Sequence, residues 1–242
     1  MRVAVISDIH GNLHALEAVV AALELESLDA LWCLGDVVGY GPRPNRCCAV
    51  VQAQASLGLV GNHDLGVLGT VDLEDFSHDA ATSAFWTRDV LTAEARAYLG
   101  GLETHGKANG VALFHASPSD PVWDYILSSD TALEAFELTS ETLVLVGHTH
   151  VPMAVLLADR VLSGGHAPAV TEVHLADGRW LLNPGSVGQP RDGDPRAAYL
   201  LIDFGAGRAS FRRVEYAVER TQAEIRERGL PDALAERLAD GV

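Results

Sequence analysis

Three short apolar runs alternate with two helical patterns before residue 65, and no other feature constrains this chain as much. Residues 2–6, 28–34 and 57–60 are apolar, too short for helices and bounded by turn residues, which reads as buried strands. Between them, Leu13 to Leu25 carries apolar residues at helical spacing and is rich in Ala, Leu and Glu. A second helix is expected from about Pro44 to Ala55. A β-α-β-α-β order brings parallel strands with right-handed crossovers. Ligands of such sheets sit beyond the carboxyl ends of the strands. All three runs stop at polar clusters: Ser7-Asp8-Ile9-His10-Gly11-Asn12, Gly35-Asp36 and Gly61-Asn62-His63-Asp64.

Residues 65–108 then turn helical in pattern, notably Asp79 to Val90 and Ala93 to Leu99, with Thr92 a good N-cap and Gly100 a good C-cap. They read as a helical insertion able to overhang the strand ends. Residues 110–114 form a fourth apolar run, ending at His115. A helix near Thr131 to Leu138 leads to Thr142-Leu143-Val144-Leu145-Val146, which ends at Gly147-His148-Thr149-His150. The glycine allows a tight turn, and two imidazoles two residues apart can then point into one space. Beyond Pro152, residues 153–158, 169–175, 179–182, 197–204 and 208–214 read as strands. Short links such as Leu175 to Arg179 point to antiparallel hairpins. Residues 218–240 read as two surface helices punctuated by Pro231. No repeat, low-complexity tract or long linker interrupts the chain, so one domain over 1–242 is expected.

Five strand ends thus supply Asp8 and His10, Asp36, Asn62 and His63, His115, and His148 and His150. Each has an ordinary explanation by itself: Asp8 or Asp36 can cap a helix, Asn62 can occupy a left-handed turn, and His115 can be a core histidine. Together they exceed what turns require, since turns favour Gly, Asn, Asp and Ser over histidine. Mixed oxygen and nitrogen donors suit Mn, Fe, Ni, Co or Zn better than Ca or Mg. No cysteine joins the set, which argues against a structural zinc site.

In order, Asp8-x-His10, Gly35-Asp36-x-x-Gly39, Gly61-Asn62-His63-Asp64, the strand-end His115 and Gly147-His148-x-His150 resemble the five signature blocks of the calcineurin-like metallophosphoesterases. Gly39-Tyr40-Gly41-Pro42 and the loop from Asn183 to Arg191 are similar to the small single-domain prokaryotic branch, whose members are broadly phosphodiesterases or phosphatases. The resemblance implies an α/β fold, a four-layer α/β/β/α sandwich with a two-metal site at its edge. Asp8, His10 and His150 would then bind one ion, Asn62, His115 and His148 the other, and Asp36 would bridge them. His63 would stabilise charge on the phosphoryl oxygens or protonate the leaving alkoxide. Asp64 would orient its other nitrogen, unless it simply caps the following helix. Two divalent ions about 3.5–4 Å apart can share a hydroxide held for in-line attack on phosphorus. Manganese is the expected ion in vitro.

The formal net charge of −16 argues against general nucleic-acid binding, which draws its affinity from Lys and Arg on phosphates. A small phosphorylated substrate remains compatible with it, since exposed charges beyond about 8 Å are screened and metal ions reverse the local sign. Arg191 ends a Gly/Pro-rich loop and is the basic residue best suited to a substrate phosphate, because a guanidinium fork matches phosphate oxygens. Its ordinary reading is a surface pair with Asp192 or Asp194. Arg43, after Pro42, has a similar case, and Asn12 either hydrogen-bonds near the metals or starts the helix. Cys33, Cys47 and Cys48 suit neither a disulfide framework nor zinc spacing and read as reduced, buried residues. No apolar run approaches the roughly 20 residues that span a bilayer, and the first residues lack a signal peptide's pattern, so a cytoplasmic location is expected. The oligomeric state is not encoded in any pattern. The function expected is metal-dependent phosphoester hydrolysis on small molecules. Protein serine/threonine phosphatase, diadenosine polyphosphate hydrolase and a non-catalytic interaction module on the same fold are the alternatives.

Overall fold

The computed structural model describes residues 1–242, and it holds two six-stranded sheets packed against each other. The first sheet runs β3 (Leu57–Gly58), β2 (Ala30–Cys33), β1 (Arg2–Ile6), β11 (Ala197–Asp203), β12 (Arg208–Val214) and β9 (Glu172–His174). The second runs β4 (His105–Ala108), β5 (Val111–Phe114), β6 (Leu143–Leu145), β10 (Arg179–Asn183), β7 (Met153–Ala158) and β8 (Val161–His166). As the alternating pattern implied, β1, β2 and β3 pair in parallel, and so do β5, β6 and β10.

The period-two geometry of a strand divides its side chains between two cores. On β1, Val3 and Val5 face the second sheet and meet Leu113, Leu143, Leu145 and Leu182. Ala4 and Ile6 face the other way, onto a helical layer. That layer is α1 (Leu13–Leu23), α2 (Pro44–Gln54), α3 (Asn62–Leu68), α4 (His78–Val90) and α5 (Ala93–Gly100). A single helix, α6 (Ser129–Glu137), covers the outer face of the second sheet, with Ala132, Ala135 and Phe136 against Ala112, Val144 and Leu181. These are the four layers. A last pair, α7 (Val218–Glu227) and α8 (Asp232–Asp240), packs Ile225, Leu234 and Leu238 with Tyr40 and Ala80. Cys33, Cys47 and Cys48 are free and buried, as expected.

Three expectations need correction. The segment 65–108 is not helical throughout, because its last four residues form β4, antiparallel to β5. Asn109 and Gly110 join the two strands with φ of 50° and 75°, the pair of positive angles that a type I′ hairpin turn requires. The link from Leu175 to Arg179 is no hairpin: β9 pairs with β12 and β10 with β6 and β7, so the chain crosses there from one sheet to the other. Finally, β8 was not expected from the sequence. Its Val-Leu-Ser-Gly-Gly-His run lies on a sheet edge with four of its six residues exposed, so it never needed an apolar pattern.

Candidate metal centre

The carboxyl ends of the strands deliver the polar residues through a strained backbone. Asp8, His10, Asp36, His148 and His150 all have positive φ, between 50° and 65°. For residues other than glycine such angles are uncommon and cost roughly 1–3 kcal/mol each unless the surroundings impose them. The surroundings here do. The amides of Ile9 and His10 both donate to the carbonyl of Asp36, at 2.8 and 2.9 Å, and the His148 amide donates to Asp8 Oδ2 at 3.1 Å. Two glycines make room: a Cβ on Gly147 would lie 2.1 Å from Ser7 Oγ, and one on Gly61 would lie 2.1 Å from Asp36 Oδ1.

Four imidazoles converge in this space, each held by its far nitrogen. His10 Nδ1 faces the carbonyl of Val38 at 3.2 Å, and His150 Nδ1 that of Gln189 at 2.6 Å. His115 Nδ1 faces the carbonyl of Leu34 at 2.9 Å, and His148 Nε2 that of Trp123 at 3.2 Å. A carbonyl only accepts, so each of these nitrogens carries the proton and the other nitrogen of the ring is left with a lone pair. Those lone pairs point at one another. His10 Nε2 lies 3.0 Å from His150 Nε2, and His115 Nε2 lies 3.2 Å from Asn62 Oδ1. Acceptors this close call for a proton or a metal cation between them.

The carboxylates complete the set. Asp8 Oδ1 is buried without a hydrogen-bond partner, 3.5 Å from His150 Nε2 and 3.9 Å from His10 Nε2. Asp36 Oδ2 is likewise unpartnered and lies 3.4 Å from His115 Nε2 and 3.6 Å from His10 Nε2. It stands between the two groups of donors. Burial holds His10 and His150 well below the usual histidine range and takes His148 down to about 3. It pushes the Asp8 carboxyl up to about 7. Burial also raises Asp36, but the charges of His115 and His63 outweigh it and hold the carboxyl well below the usual range. His115 goes the opposite way, burial being outweighed by Asp36, to about 9. His10, His148 and His150 are therefore neutral around an ionised Asp36, the protonation state that binds a metal, and an ion bound between Asp36 and His115 would displace the proton that Asp36 holds on that ring. Second-sphere carbonyls on the far nitrogens are the pattern that fixes metal-binding histidines. The donor set therefore fits divalent ions, in overlapping groups: Asp8 with His10 and His150; His10 with Asp36 and His63; Asp36 with His115 and His148.

His63 differs from the other rings. Its Nδ1 is buried with no partner, and burial lowers it to about 4. The ring packs among Tyr40, His10 and Phe76 at centroid distances of 4.4, 4.8 and 4.9 Å. Asp64 does not orient it, contrary to expectation. Its carboxylate instead accepts the amides of Val37, Val38 and Gly61 at 3.2, 2.9 and 3.1 Å, tying the start of α3 to the loop that carries Asp36.

Two of the three residues expected to bind substrate are committed elsewhere. Arg43 forms a two-pronged pair with Glu224 of α7, both contacts at 2.7 Å. Asn12 caps α1, accepts from Thr221 and donates to the Gly188 carbonyl at 2.8 Å. Arg191 is the exception. Asp192 and Asp194 pair with Arg213 and Arg196 instead, which leaves the Arg191 guanidinium with only Gln189 Oε1 at 2.8 Å and the Tyr40 hydroxyl at 3.4 Å. It lies close enough to lower His63 and His150 by its charge. The residues that sequence reasoning missed are the carbonyls of Leu34, Val38, Trp123 and Gln189 and the rings of Phe76, Trp123 and Tyr125. Every residue has a carbonyl, so only the fold selects these four.

Residues 1–207 match the calcineurin-like phosphoesterase superfamily domain. An uncharacterized protein of Methanocaldococcus jannaschii is 37% identical over 241 residues, covering 98% of this chain and 96% of that one. Among solved structures, a metallophosphoesterase from Sphaerobacter thermophilus superposes with a TM-score of 0.89 at 41% identity, covering 100% of this chain and 99% of the other. A hypothetical protein from Pyrococcus horikoshii shares the fold, with a TM-score of 0.82 at 20% identity over 100% of this chain and 98% of the other. No helix is long and apolar enough to cross a membrane. With its donors gathered at the strand ends of a four-layer sandwich, and with these matches along its length, the chain belongs to the calcineurin-like phosphoesterase superfamily.

Proposed function

We propose that this protein is a cytoplasmic hydrolase of small phosphoesters, a phosphodiesterase or phosphatase that works with two divalent ions. One observation carries the proposal: imidazoles locked from behind by carbonyls aim bare nitrogens at the unpartnered oxygens of Asp8 and Asp36. Asp8, His10 and His150 would hold one ion, and Asn62, His115 and His148 the other. Asp36 would serve both through Oδ2. Ions bound there supply Lewis acidity and an activated water at neutral pH, and mixed donors suit Mn, Fe, Co, Ni or Zn, manganese being the ion of choice in vitro.

The chain's own side chains do the rest. Two carboxylates against two dications leave the centre positive, which draws a phosphate into an otherwise acidic protein. Arg191 has donors to spare and orients the phosphoryl oxygens. His63, alone among the five rings in having no carbonyl that fixes its tautomer, is free to turn a nitrogen to the departing oxygen, and the negative charge of a bound phosphate would lift it from about 4 towards a proton donor's range. Metal-depleted protein reconstituted with manganese tests the reading. Two ions per chain and turnover of bis-p-nitrophenyl or p-nitrophenyl phosphate are expected, and Asp36→Asn should lose both. Loaded protein inert towards every phosphoester would favour an interaction module instead.

A further inference from the structure

The chain is poor in aromatic residues, with four Trp, five Tyr and six Phe in 242 positions, yet several gather directly over the metal centre. Phe76 meets the ring of His63 edge-on at 4.9 Å and the ring of Trp123 edge-on at 5.3 Å. Tyr125 stacks on His148 at 4.0 Å with 16° between the planes. Trp123 and Tyr125 belong to a short arch between β5 and α6 that is held at both ends. On one side Asp120 Oδ1 accepts the amides of Val122 and Trp123, at 2.9 and 3.2 Å. On the other, Ile126 is buried beneath α6. The arch is also fastened to the centre itself, since the Trp123 carbonyl holds the far nitrogen of His148.

Rings recruited only to fill a core would be buried, and these are not. Trp123 and Phe76 are half-buried and Tyr125 is 44% exposed, whereas the ligand residues beneath them are at most 4% exposed. Aromatic faces are therefore what the centre presents to a molecule arriving from this side. Arg191, 5.9 Å above the Tyr40 ring, adds a cation near the same group of rings. A ligand matching both would carry an anionic phosphate and a planar ring.

We infer that Trp123 and Tyr125, with Phe76 behind them, form a stacking platform for a planar aromatic group carried by the phosphoester, a nucleobase in chemical class. The inference deepens the hydrolase reading and rests on it for the position of the phosphate. Stacking on an aromatic side chain strengthens binding of a base about five- to hundred-fold and tolerates any base, because every base has a π face. The platform selects a chemical class and does not read a sequence.

The test compares adenosine monophosphate with glycerol phosphate, which share a phosphomonoester and differ in the ring. Binding to manganese-loaded protein is measured by calorimetry and phosphate release by assay, for the unsubstituted chain, Trp123→Leu and Trp123→Phe, with metal content determined on each sample. The unsubstituted chain should bind the nucleotide about tenfold or more tightly than glycerol phosphate. Trp123→Leu should lose most of that preference and Trp123→Phe should keep most of it. Equal affinity for the two ligands, or a preference unchanged in Trp123→Leu, would overturn the inference. A nucleotide preference without hydrolysis of either ester would support the platform and count against the hydrolase reading. Hydrolysis of both with no preference would do the reverse.

Discussion

Adding one methyl group at Gly61 should distort the metal centre without altering any proposed ligand. The backbone there has φ −102° and ψ 178°, which alanine adopts without strain, so the effect of Gly61→Ala is steric. The new Cβ would lie 2.1 Å from Asp36 Oδ1, 2.6 Å from its Cγ and 2.7 Å from its amide nitrogen. Ordinary contact begins at 3.4 Å, so the carboxylate or the strand end must move by 1.3 Å. That shift breaks the 2.9 Å bond from the His63 amide to Asp36 Oδ1 and carries Oδ2 away from His115 and His10. Coordination distances tolerate only about 0.2 Å, and a misplacement of about 1 Å costs on the order of a hundredfold in rate. Overpacking itself costs about 1–3 kcal/mol, small enough to leave a folded protein in which the site can be measured. Urea unfolding, metal analysis and kcat/KM on bis-p-nitrophenyl phosphate should show a modest loss of stability, fewer than two ions per chain and about a hundredfold loss of turnover. Two bound ions with turnover within a few-fold of the unsubstituted chain would refute the reasoning and remove Asp36 from the shared position.

His63→Ala should keep both ions and lose turnover chiefly on esters with poor leaving groups; equal loss on p-nitrophenyl and alkyl esters would contradict the proton-donor role. Asp64→Ala should instead unfold at lower urea, since three buried amides lose their acceptor at about 1–3 kcal/mol each. Part of that is returned because a carboxyl that burial pushes up to about 7 is no longer enclosed. Arg191→Ala should raise KM for phosphoesters about tenfold or more, the worth of a charged hydrogen bond, with metal content unchanged. Removing metal with a chelator should lower Tm by on the order of 10 °C for each ion previously present at about a thousand times its dissociation constant, and scanning calorimetry before and after manganese is restored measures it.

Asp8, His10, Asp36, Asn62, His115, His148 and His150 were legible because each follows an apolar run, and a strand end in a parallel sheet fixes where its side chains gather. What holds those residues was not legible. Arg43 and Glu224 are 181 positions apart, and no local pattern announces a partner at that distance. Asp64 sits in the first turn of α3, three residues after Gly61, so a bond back to the Gly61 amide was open to sequence reasoning, but its bonds to Val37 and Val38 depend on the fold. The Asn109-Gly110 turn is a hairpin signal that the polar run before it obscured, because an edge strand can alternate His and Lys outward. Phe76, Trp123 and Tyr125 share no periodicity and meet only where the arch crosses the strand ends.

Anomalous diffraction from crystals of manganese-loaded protein tests the central claim most directly. The account predicts two peaks about 3.5–4 Å apart, one among Asp8, His10 and His150, the other among Asn62, His115 and His148, with Asp36 touching both. A single peak, or two peaks that Asp36 does not join, would contradict it.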